Sequence, residues 1–331
     1  MSKVLITGGA GFIGYHLAKH LAARGHAITL ADNLFRGRRD TDLEALLELQ
    51  KVTLIEADLT DRGAWSTLGS GYDTVYHLAS INGTKLFYEM PHEVLRVGVL
   101  STIHALEWFR SENGSADAKI LYTSSNEAYG GALEAYGKLP IPTPENVPLI
   151  VADTYNPRWS YAGQKLIGEL FFIHYAKAYN LRMSIVRPHN FYGPRAGYNH
   201  VIPEVIARVS AHEEPFAIFG ANETRSFCYI DDAVEAIQAV MESKTTDGGT
   251  YHIGTAQETS IQDLVEDIFS IMQWHPKNIA IQASPEGSVN RRLADVSKIK
   301  RDTDWEAKTG LAEGLKRTIE WYRKNPKTEK R

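Results

Sequence analysis

A tyrosine and a lysine stand four positions apart in the segment Tyr161-Ala162-Gly163-Gln164-Lys165. Residues at this spacing lie on one face of a helix, so the phenol and the ammonium group can be neighbours. A tyrosine with its ordinary pKa of about 10 is a weak base at neutral pH, and a nearby positive charge favours its phenolate form. The pair therefore predicts proton transfer from a substrate hydroxyl, with Tyr161 as the base.

A second polar segment, Thr123-Ser124-Ser125-Asn126-Glu127, overlaps the end of a predicted strand at Lys119–Ser124. A hydroxyl at a strand end can hydrogen-bond a reacting oxygen and orient it, and Ser125 is our candidate for that role. Glu127 has two interpretations. Its carboxylate could remove a carbon-bound proton as a general base, or it could cap or orient its own loop.

Gly8, Gly11 and Gly14 lie between the first predicted strand, Val4–Thr7, and the first predicted helix, Phe12–Arg24. Gly8 permits a tight turn, Gly11 lets backbone N–H groups approach a pyrophosphate, and Gly14 allows close packing of helix on strand. The helix N-terminus adds unpaired N–H donors and the positive end of its dipole. This context predicts a dinucleotide-binding turn.

The end of the second predicted strand, Ala27–Ala31, is followed by Asp32. A carboxylate at this point accepts hydrogen bonds from ribose hydroxyls and repels a 2′-phosphate, which favours NAD over NADP. Arg36, Arg38 and Arg39 follow closely and could instead hold a 2′-phosphate. They lie beyond the strand end, so we give the carboxylate more weight.

Short apolar runs alternate with helical stretches through the first half of the chain. This alternation predicts an α/β fold, a doubly wound parallel sheet with helices on both faces and ligands at the carboxyl ends of its strands. We expect residues 1–187 to form the dinucleotide-binding domain and the chain to return to it around residues 228–253. Residues 188–331 are expected to form mainly a smaller α/β domain that binds substrate.

Composition excludes several other classes of protein. The 331 residues are 43% hydrophobic and 23% charged with a net charge of -4, which is typical of a globular chain and unlike a nucleic-acid binder. No apolar run approaches the roughly 18 residues that cross a membrane. The single cysteine, Cys228, forbids an internal disulfide, and the scattered histidines predict no metal site. We expect a cytoplasmic protein.

The same motifs, in the same order, occur in the extended short-chain dehydrogenase/reductases. The chain is similar in particular to the nucleotide-sugar epimerases, dehydratases and decarboxylases of that family. Besides the glycine turn, the serine segment and the Tyr161/Lys165 pair, the resemblance rests on Asp32, Glu56-Ala57-Asp58-Leu59, His77-Leu78-Ala79-Ser80 and Arg187-Pro188-His189-Asn190-Phe191-Tyr192-Gly193-Pro194.

The resemblance implies a Rossmann-type domain with NAD as cofactor, and a homodimer. It implies that Tyr161, Lys165 and Ser125 are catalytic and that Lys165 also holds the nicotinamide ribose. The positions that match NAD contacts in the family are Gly8, Gly11, Phe12, Ile13, Gly14, Asp32, Asn33, Asp58, Leu59, Leu78, Ala79, Ser80, Tyr161, Lys165 and Pro188.

The resemblance also implies a nucleoside diphosphate sugar as substrate. The matching positions are Asn190 for the sugar diphosphate, Ala217 and Phe219 for the nucleobase, and Arg225 and Arg292 for the diphosphate charge. Two guanidinium groups suit a diphosphate because each can meet phosphate oxygens bidentately. Two further candidates for substrate contacts are Asn126 and His189, the latter in place of a common aromatic or apolar residue.

Relatives of this kind oxidise the sugar at C4 and differ in how the resulting ketone reacts. Glu127 matches the glutamate of the dehydratases and decarboxylases, so we expect C5 chemistry, either 4,6-dehydration or decarboxylation. The segment Asn156-Pro157-Arg158-Trp159-Ser160-Tyr161 is similar to that of a decarboxylase that acts on UDP-glucuronic acid. The alternatives are a 4-epimerase, a dehydrogenase that releases the 4-keto sugar and, last, an NAD-binding sensor without catalysis.

Overall fold

The computed structural model describes residues 1–115, 117–284 and 290–326. Within these residues the strands are β1 Lys3–Thr7, β2 Ala27–Asp32, β3 Val52–Glu56, β4 Thr74–His77, β5 Lys119–Thr123, β6 Arg182–Pro188, β7 Phe191–Tyr192, β8 Phe216–Phe219, β9 Thr224–Arg225, β10 Cys228–Tyr229, β11 Thr250–Ile253, β12 Thr259–Ser260, β13 Ile279–Gln282 and β14 Arg291–Arg292.

The same residues form helices of very different length, the longest being the two 21-residue helices α5 and α7. The helices are α1 Phe12–Ala23, α2 Thr41–Leu47, α3 Arg62–Ser66, α4 Thr84–Glu89, α5 Pro91–Ser111, α6 Gly130–Tyr136, α7 Trp159–Tyr179, α8 Val201–Ser210, α9 Ile230–Glu242, α10 Ile261–Met272, α11 Ser297–Thr303 and α12 Leu311–Lys324, with a short 3₁₀ helix at Asn126–Tyr129.

Seven strands form one parallel sheet in the order β11-β6-β5-β4-β1-β2-β3. The predicted α/β class is confirmed. The order of the strands reverses at β1, whose neighbours are β2 and β4, and such a reversal opens a crevice at the carboxyl ends of the strands. β11 comes from the C-terminal half of the chain and pairs with β6 along Thr250–Ile253.

Alternate side chains of β1 enter two separate cores, because successive residues of a strand point to opposite faces of the sheet. Leu5 packs with Trp108 of α5 and Phe172 of α7 on one face. Ile6 joins the core on the other face, which includes residues of α1 and α9. Both faces of the sheet are therefore covered, and the carboxyl ends of its strands remain open to ligands.

The C-terminal half adds small sheets, which the described residues form separately from the large sheet. β8 pairs with β13, β7 pairs with β10, and β9 lies between β12 and β14. The pairing of β9 with β14 places Arg225 in register with Arg292. Across the described residues, no helix has the length and apolar character that crossing a membrane requires.

Candidate active site

The glycine turn joins β1 to α1 and lets the helix approach the strand closely. Gly8 has φ +67°, a left-handed conformation that glycine adopts readily. A Cβ on Gly14 would lie 2.4 Å from the Gly8 carbonyl oxygen, so the helix can approach the strand only with glycine there. Gly11 is the N-cap of α1 and, having no side chain, cannot itself cap the first N–H groups of that helix. The backbone N–H groups of this turn are suited to phosphate.

Asp32 lies at the end of β2, and its two carboxylate oxygens bind the backbone. Oδ2 accepts from the Ala10 N–H at 3.0 Å and Oδ1 accepts from the Leu34 N–H at 2.8 Å. Burial raises the pKa of this carboxyl, and the two N–H groups partly counteract the effect. Arg39 of the competing arginine group is exposed and paired with Glu44 at 2.6 Å. The carboxylate thus anchors the glycine turn at the expected ribose position.

The remaining cofactor candidates also follow strand ends at this edge of the sheet. Thr7 Oγ1 accepts from the N–H groups of Leu78 and Ala79, which ties the end of β4 to the end of β1. The Ser80 hydroxyl accepts from the Gln164 amide at 3.0 Å. Phe12 and Ile13 begin α1, Asn33 follows β2, Asp58 and Leu59 follow β3, and Pro188 ends β6. Their role in binding the cofactor remains a prediction.

His77 is packed and is held by two threonines. Its ring nitrogens lie 2.9 Å from the Thr7 hydroxyl and 3.3 Å from the Thr102 hydroxyl. Burial lowers the pKa of His77 to about 3, so its imidazole is neutral. The side chain therefore connects β1 and β4 to α5. Within the described residues, no group of three or more His, Cys, Asp or Glu side chains could hold a metal ion.

Tyr161 and Lys165 lie on the first turns of α7, and both are buried beside the serine segment. The Lys165 ammonium donates to the Thr123 carbonyl at 2.7 Å and lies 5.6 Å from the centre of the Tyr161 ring. Burial lowers the pKa of Lys165 to about 7, an effect that the charge of Glu169 partly offsets. Burial raises the pKa of Tyr161, and a hydrogen bond with Ser125 acts in the opposite direction.

The two neighbouring serines have different partners. Ser124 donates to Glu169 at 2.5 Å, and Glu169 forms a buried ion pair with Arg187 at 2.8 Å. Ser125 hydrogen-bonds Tyr161, and its oxygen accepts from the Glu127 N–H at 3.1 Å. Ser125 therefore lies next to Tyr161, and its catalytic role remains a prediction. Ser124 belongs to a structural network.

Glu127 lies at the centre of a group of three arginines. It forms an ion pair with Arg292 and lies 3.6 Å from the Arg158 guanidinium. Burial acts to raise the pKa of Glu127, but the charges of Arg292, Arg158 and Arg225 outweigh it, so the pKa is lowered. Arg225 also pairs with Glu223 at 2.7 Å. We call Glu127, Arg158, Arg225 and Arg292 the arginine cluster.

Two substrate candidates, His189 and Asn190, follow β6 directly. His189 is buried, and its Nε2 is 2.8 Å from the Tyr129 hydroxyl. Burial, the neighbouring His252 and two arginines lower its pKa, so the ring is neutral. Asn190 has φ +42°, and its amide donates to the Ser226 carbonyl at 3.0 Å.

The nucleobase candidates lie on β8, which pairs with β13 outside the large sheet. Ala217 is half-buried and Phe219 is exposed. An exposed phenyl ring offers a face on which a base could stack. Both remain predictions.

Sequence reasoning missed three side chains that belong to this region. Arg158 precedes Tyr161 by three positions, and that spacing on a helix was the available signal. Gln164 fills the space beside Gly98, where an added Cβ would meet its Oε1 at 2.1 Å. The lack of a side chain at Gly98 therefore makes room for Gln164, the residue before Lys165. Glu169 lies four positions after Lys165, one turn further along α7, so the same spacing signal was available for it.

Comparison with known proteins agrees with this geometry. The family model described as the NAD dependent epimerase/dehydratase family matches residues 4–254. A UDP-N-acetyl-alpha-D-glucosaminuronate decarboxylase of Bacillus cytotoxicus is 33% identical, over 97% of this chain and 98% of the relative. A UDP-glucose 4-epimerase of Mycolicibacterium smegmatis is 29% identical, over 97% of this chain and 98% of the relative.

A solved structure leads to the same family. The UDP-glucose 4-epimerase of Thermotoga maritima, determined with UDP-glucose, is 27% identical and superimposes with a TM-score of 0.85. The match covers 98% of this chain and 100% of that structure. The cofactor of the family is NAD, as predicted from Asp32 and the glycine turn. The chain belongs to the NAD-dependent epimerase/dehydratase family, whose extended short-chain dehydrogenase/reductase members modify nucleotide sugars.

Proposed function

We propose that this protein oxidises a nucleoside diphosphate hexuronic acid at C4 and then releases its C6 carboxylate as carbon dioxide. Tyr161 accepts the proton of the C4 hydroxyl, and Ser125 hydrogen-bonds the same oxygen. Lys165 contributes positive charge beside the phenol when it is protonated. NAD, when bound, accepts the hydride from C4 and returns it at the end of the cycle.

Carbon dioxide can leave because the oxidised sugar is a β-keto acid. The bond between C5 and C6 breaks, its electrons move toward the C4 carbonyl, and Tyr161 donates its proton to the oxygen that becomes negative. C5 then takes a proton from water, Tyr161 takes back the enol proton as the ketone forms again, and reduction at C4 gives the pentose. One carboxylate and one proton are consumed, and one carbon dioxide is released.

The ion pair between Glu127 and Arg292 is the observation that carries this proposal. Arginines hold the Glu127 carboxylate and lower its pKa, which makes it a poor base for C5–H. Dehydration would need that base. It would also need an acid for the departing C6 hydroxyl, and the Asn126 amide cannot supply a proton. Decarboxylation needs neither group, and the three arginines can bind an anionic sugar as well as its diphosphate.

The activity for which the Bacillus cytotoxicus relative is named supports the same choice, because that enzyme removes the carboxylate of a UDP-linked uronic acid. Its similarity extends over nearly the whole of both chains. We therefore propose a UDP-linked uronic acid as the first substrate to test.

A 4-epimerase is the second candidate. Tyr161, Ser125 and Lys165 are together sufficient to oxidise C4 and to assist its reduction from the other face. The Mycolicibacterium and Thermotoga relatives are both named UDP-glucose 4-epimerases. On this alternative, the arginine cluster binds the substrate without promoting loss of a carboxylate.

Proton NMR in D2O distinguishes the candidates. The protein with NAD is incubated separately with UDP-linked hexuronic acids, UDP-glucose and dTDP-glucose. We expect uronic acids to give UDP-pentoses with deuterium at C5 and the neutral hexoses to persist. Inversion of UDP-glucose at C4 without deuterium would favour the epimerase, and a 4-keto-6-deoxy product from dTDP-glucose would favour dehydration.

A further inference from the structure

A buried glutamine lies beside the catalytic pair and has no part in the chemistry described so far. Gln164 precedes Lys165 on α7 and is only 1% exposed. Its Nε2 donates to the Ser80 hydroxyl at 3.0 Å, which joins α7 to the loop after β4. Its Oε1 lies against Gly98 of α5 and, among the described residues, has no hydrogen-bond partner. The carboxamide therefore lies between α5, α7 and this loop.

The space for the carboxamide exists only because residue 98 has no side chain. A Cβ on Gly98 would lie 2.1 Å from Oε1 and 2.5 Å from Cδ of Gln164. Gly98 is in the interior of a 21-residue helix, where glycine is less favourable than alanine. A buried acceptor without a donor is also unfavourable, and an apolar side chain of the same length would avoid it. Packing alone does not account for this arrangement, so the Gln164 amide has a further role.

The hydrogen bond from Gln164 determines what the Ser80 hydroxyl can do. A serine hydroxyl has one O–H donor and two lone pairs, and Gln164 occupies one of the lone pairs. Within the described part of the chain, Ser80 donates to no protein group. Its O–H is therefore available to a ligand.

The position of Ser80 indicates which ligand receives this hydrogen bond. The two preceding residues, Leu78 and Ala79, donate their backbone N–H groups to the Thr7 hydroxyl. They also pack against the glycine turn, because a Cβ on Gly8 would lie 3.0 Å from the Ala79 backbone nitrogen. That turn is suited to the pyrophosphate of NAD, the cofactor of the family. An oxygen of NAD is therefore the acceptor that this location offers.

We propose that Gln164 is a positioning residue for NAD. By donating to Ser80, it directs the serine O–H toward an oxygen of the bound cofactor. The same contact fixes the loop after β4 against the helix that carries Tyr161, and so sets the distance between the cofactor and the phenol. Gln164 does not touch the reacting atoms and acts through Ser80. The inference concerns the cofactor alone, so it holds for either reaction proposed above.

Release of the cofactor tests the proposal without any sugar. Protein loaded with NADH is mixed with excess NAD, and the loss of bound NADH fluorescence gives the dissociation rate. We expect Gln164→Met to release NADH about tenfold faster, the effect of losing roughly one hydrogen bond. Gly98→Ala keeps both polar groups, but its Cβ displaces the amide from Ser80, so it should also release NADH faster.

Gln238→Met is the matched control. Gln238 is a buried glutamine of α9, and its amide bonds His20 and Glu242 instead of a residue of the cofactor loop. This variant should release NADH at the wild-type rate.

Two further measurements separate positioning from a merely structural role. Ser80→Ala should release NADH faster, and adding Gln164→Met to it should have no further effect, because Gln164 acts through Ser80. Urea denaturation without cofactor should show no loss of stability in Gln164→Met, since methionine leaves no buried oxygen unpaired. Wild-type release in Gln164→Met or Gly98→Ala, effects of Gln164→Met and Ser80→Ala that multiply, or faster release with a comparable loss of stability would overturn the proposal.

Discussion

Glu127 and Arg292 form an ion pair across 165 positions of sequence, between the 3₁₀ helix after β5 and the two-residue strand β14. The pair connects the segment after β5, which holds the predicted catalytic residues, to the C-terminal half of the chain. The pair also determines which chemical role the Glu127 carboxylate can have. A carboxylate held in this way keeps its negative charge at neutral pH, so it can fix the arginines and repel a substrate carboxylate, but it is a weak base.

Replacement of Glu127 by Gln separates these roles. We expect kcat for carbon dioxide release to fall by roughly 10–100-fold and KM for the uronic acid to fall as well. Without the charge of Glu127, the arginines hold the substrate carboxylate more tightly in the ground state. Steady-state kinetics measures both constants. A lower kcat with an unchanged KM would instead indicate a direct role for Glu127 as a base.

Tyr161→Phe removes the proposed acid and base while it keeps the ring that stacks on Phe87. We expect kcat to fall by roughly 10²–10⁴-fold, the usual contribution of a positioned proton-transfer group. NAD affinity, measured by fluorescence titration, should change little. The control is Tyr155→Phe, because Tyr155 is 95% exposed. Activity of Tyr161→Phe at the control's level would refute the assignment.

The buried Lys165 predicts an unusual dependence of stability on pH. Its pKa of about 7 in the folded protein lies below the unfolded value, so between pH 7 and that value the unfolded chain binds one more proton. The wild type should therefore gain stability relative to Lys165→Met as the pH rises through this window. From pH 7 to pH 9 we expect a relative gain of about 2 kcal/mol in the free energy of unfolding.

Urea denaturation at the two pH values measures this difference. The exposed Lys138→Met serves as the matched variant and should show no comparable gain. If Lys165→Met and the wild type keep a constant difference in stability, the ammonium group is not desolvated as the structure indicates.

Gly14→Ala tests the glycine turn. The new Cβ would lie 2.4 Å from the Gly8 carbonyl and 2.7 Å from the Gly9 Cα, so helix α1 must move away from the strand. We expect a loss of about 1–3 kcal/mol in stability and at least tenfold weaker NAD binding. Gly63→Ala is the control, since its Cβ would have an ordinary contact of 3.4 Å. Unchanged NAD affinity in Gly14→Ala would contradict the role of the turn.

Local sequence patterns were enough to predict the fold and the NAD turn. Apolar spacing predicts a helix over Ile261–Met272, and α10 has those bounds, with the Ser260 hydroxyl accepting from the Asp263 N–H at its start. The segment Tyr155–Ala178 is predicted to contain a long helix, and α7 runs from Trp159 to Tyr179. Pro157 disfavours helical backbone in the residue before it, so the helix starts after that proline.

The arginine cluster could not be predicted in the same way. Arg292 lies in a two-residue strand with no periodic pattern, and its pairing with Glu127 depends on the packing of the C-terminal half against the large sheet. The resemblance implies that Arg292 binds the diphosphate of the substrate, and that role remains a prediction. The structure shows its ion pair with Glu127. The spacing of Arg158 from Tyr161 was a usable signal. No sequence pattern indicates that Asn126 Nδ2 lacks a hydrogen-bond partner among the described residues.

The fate of C6 is the most direct test of the proposed reaction. A UDP-linked hexuronic acid labelled with ¹³C at C6 is incubated with the NAD-loaded protein and followed by ¹³C NMR. We predict that the label appears as bicarbonate while an unlabelled UDP-pentose accumulates in equal amount. A product inverted at C4 that keeps the label at C6 would contradict decarboxylation and establish the epimerase.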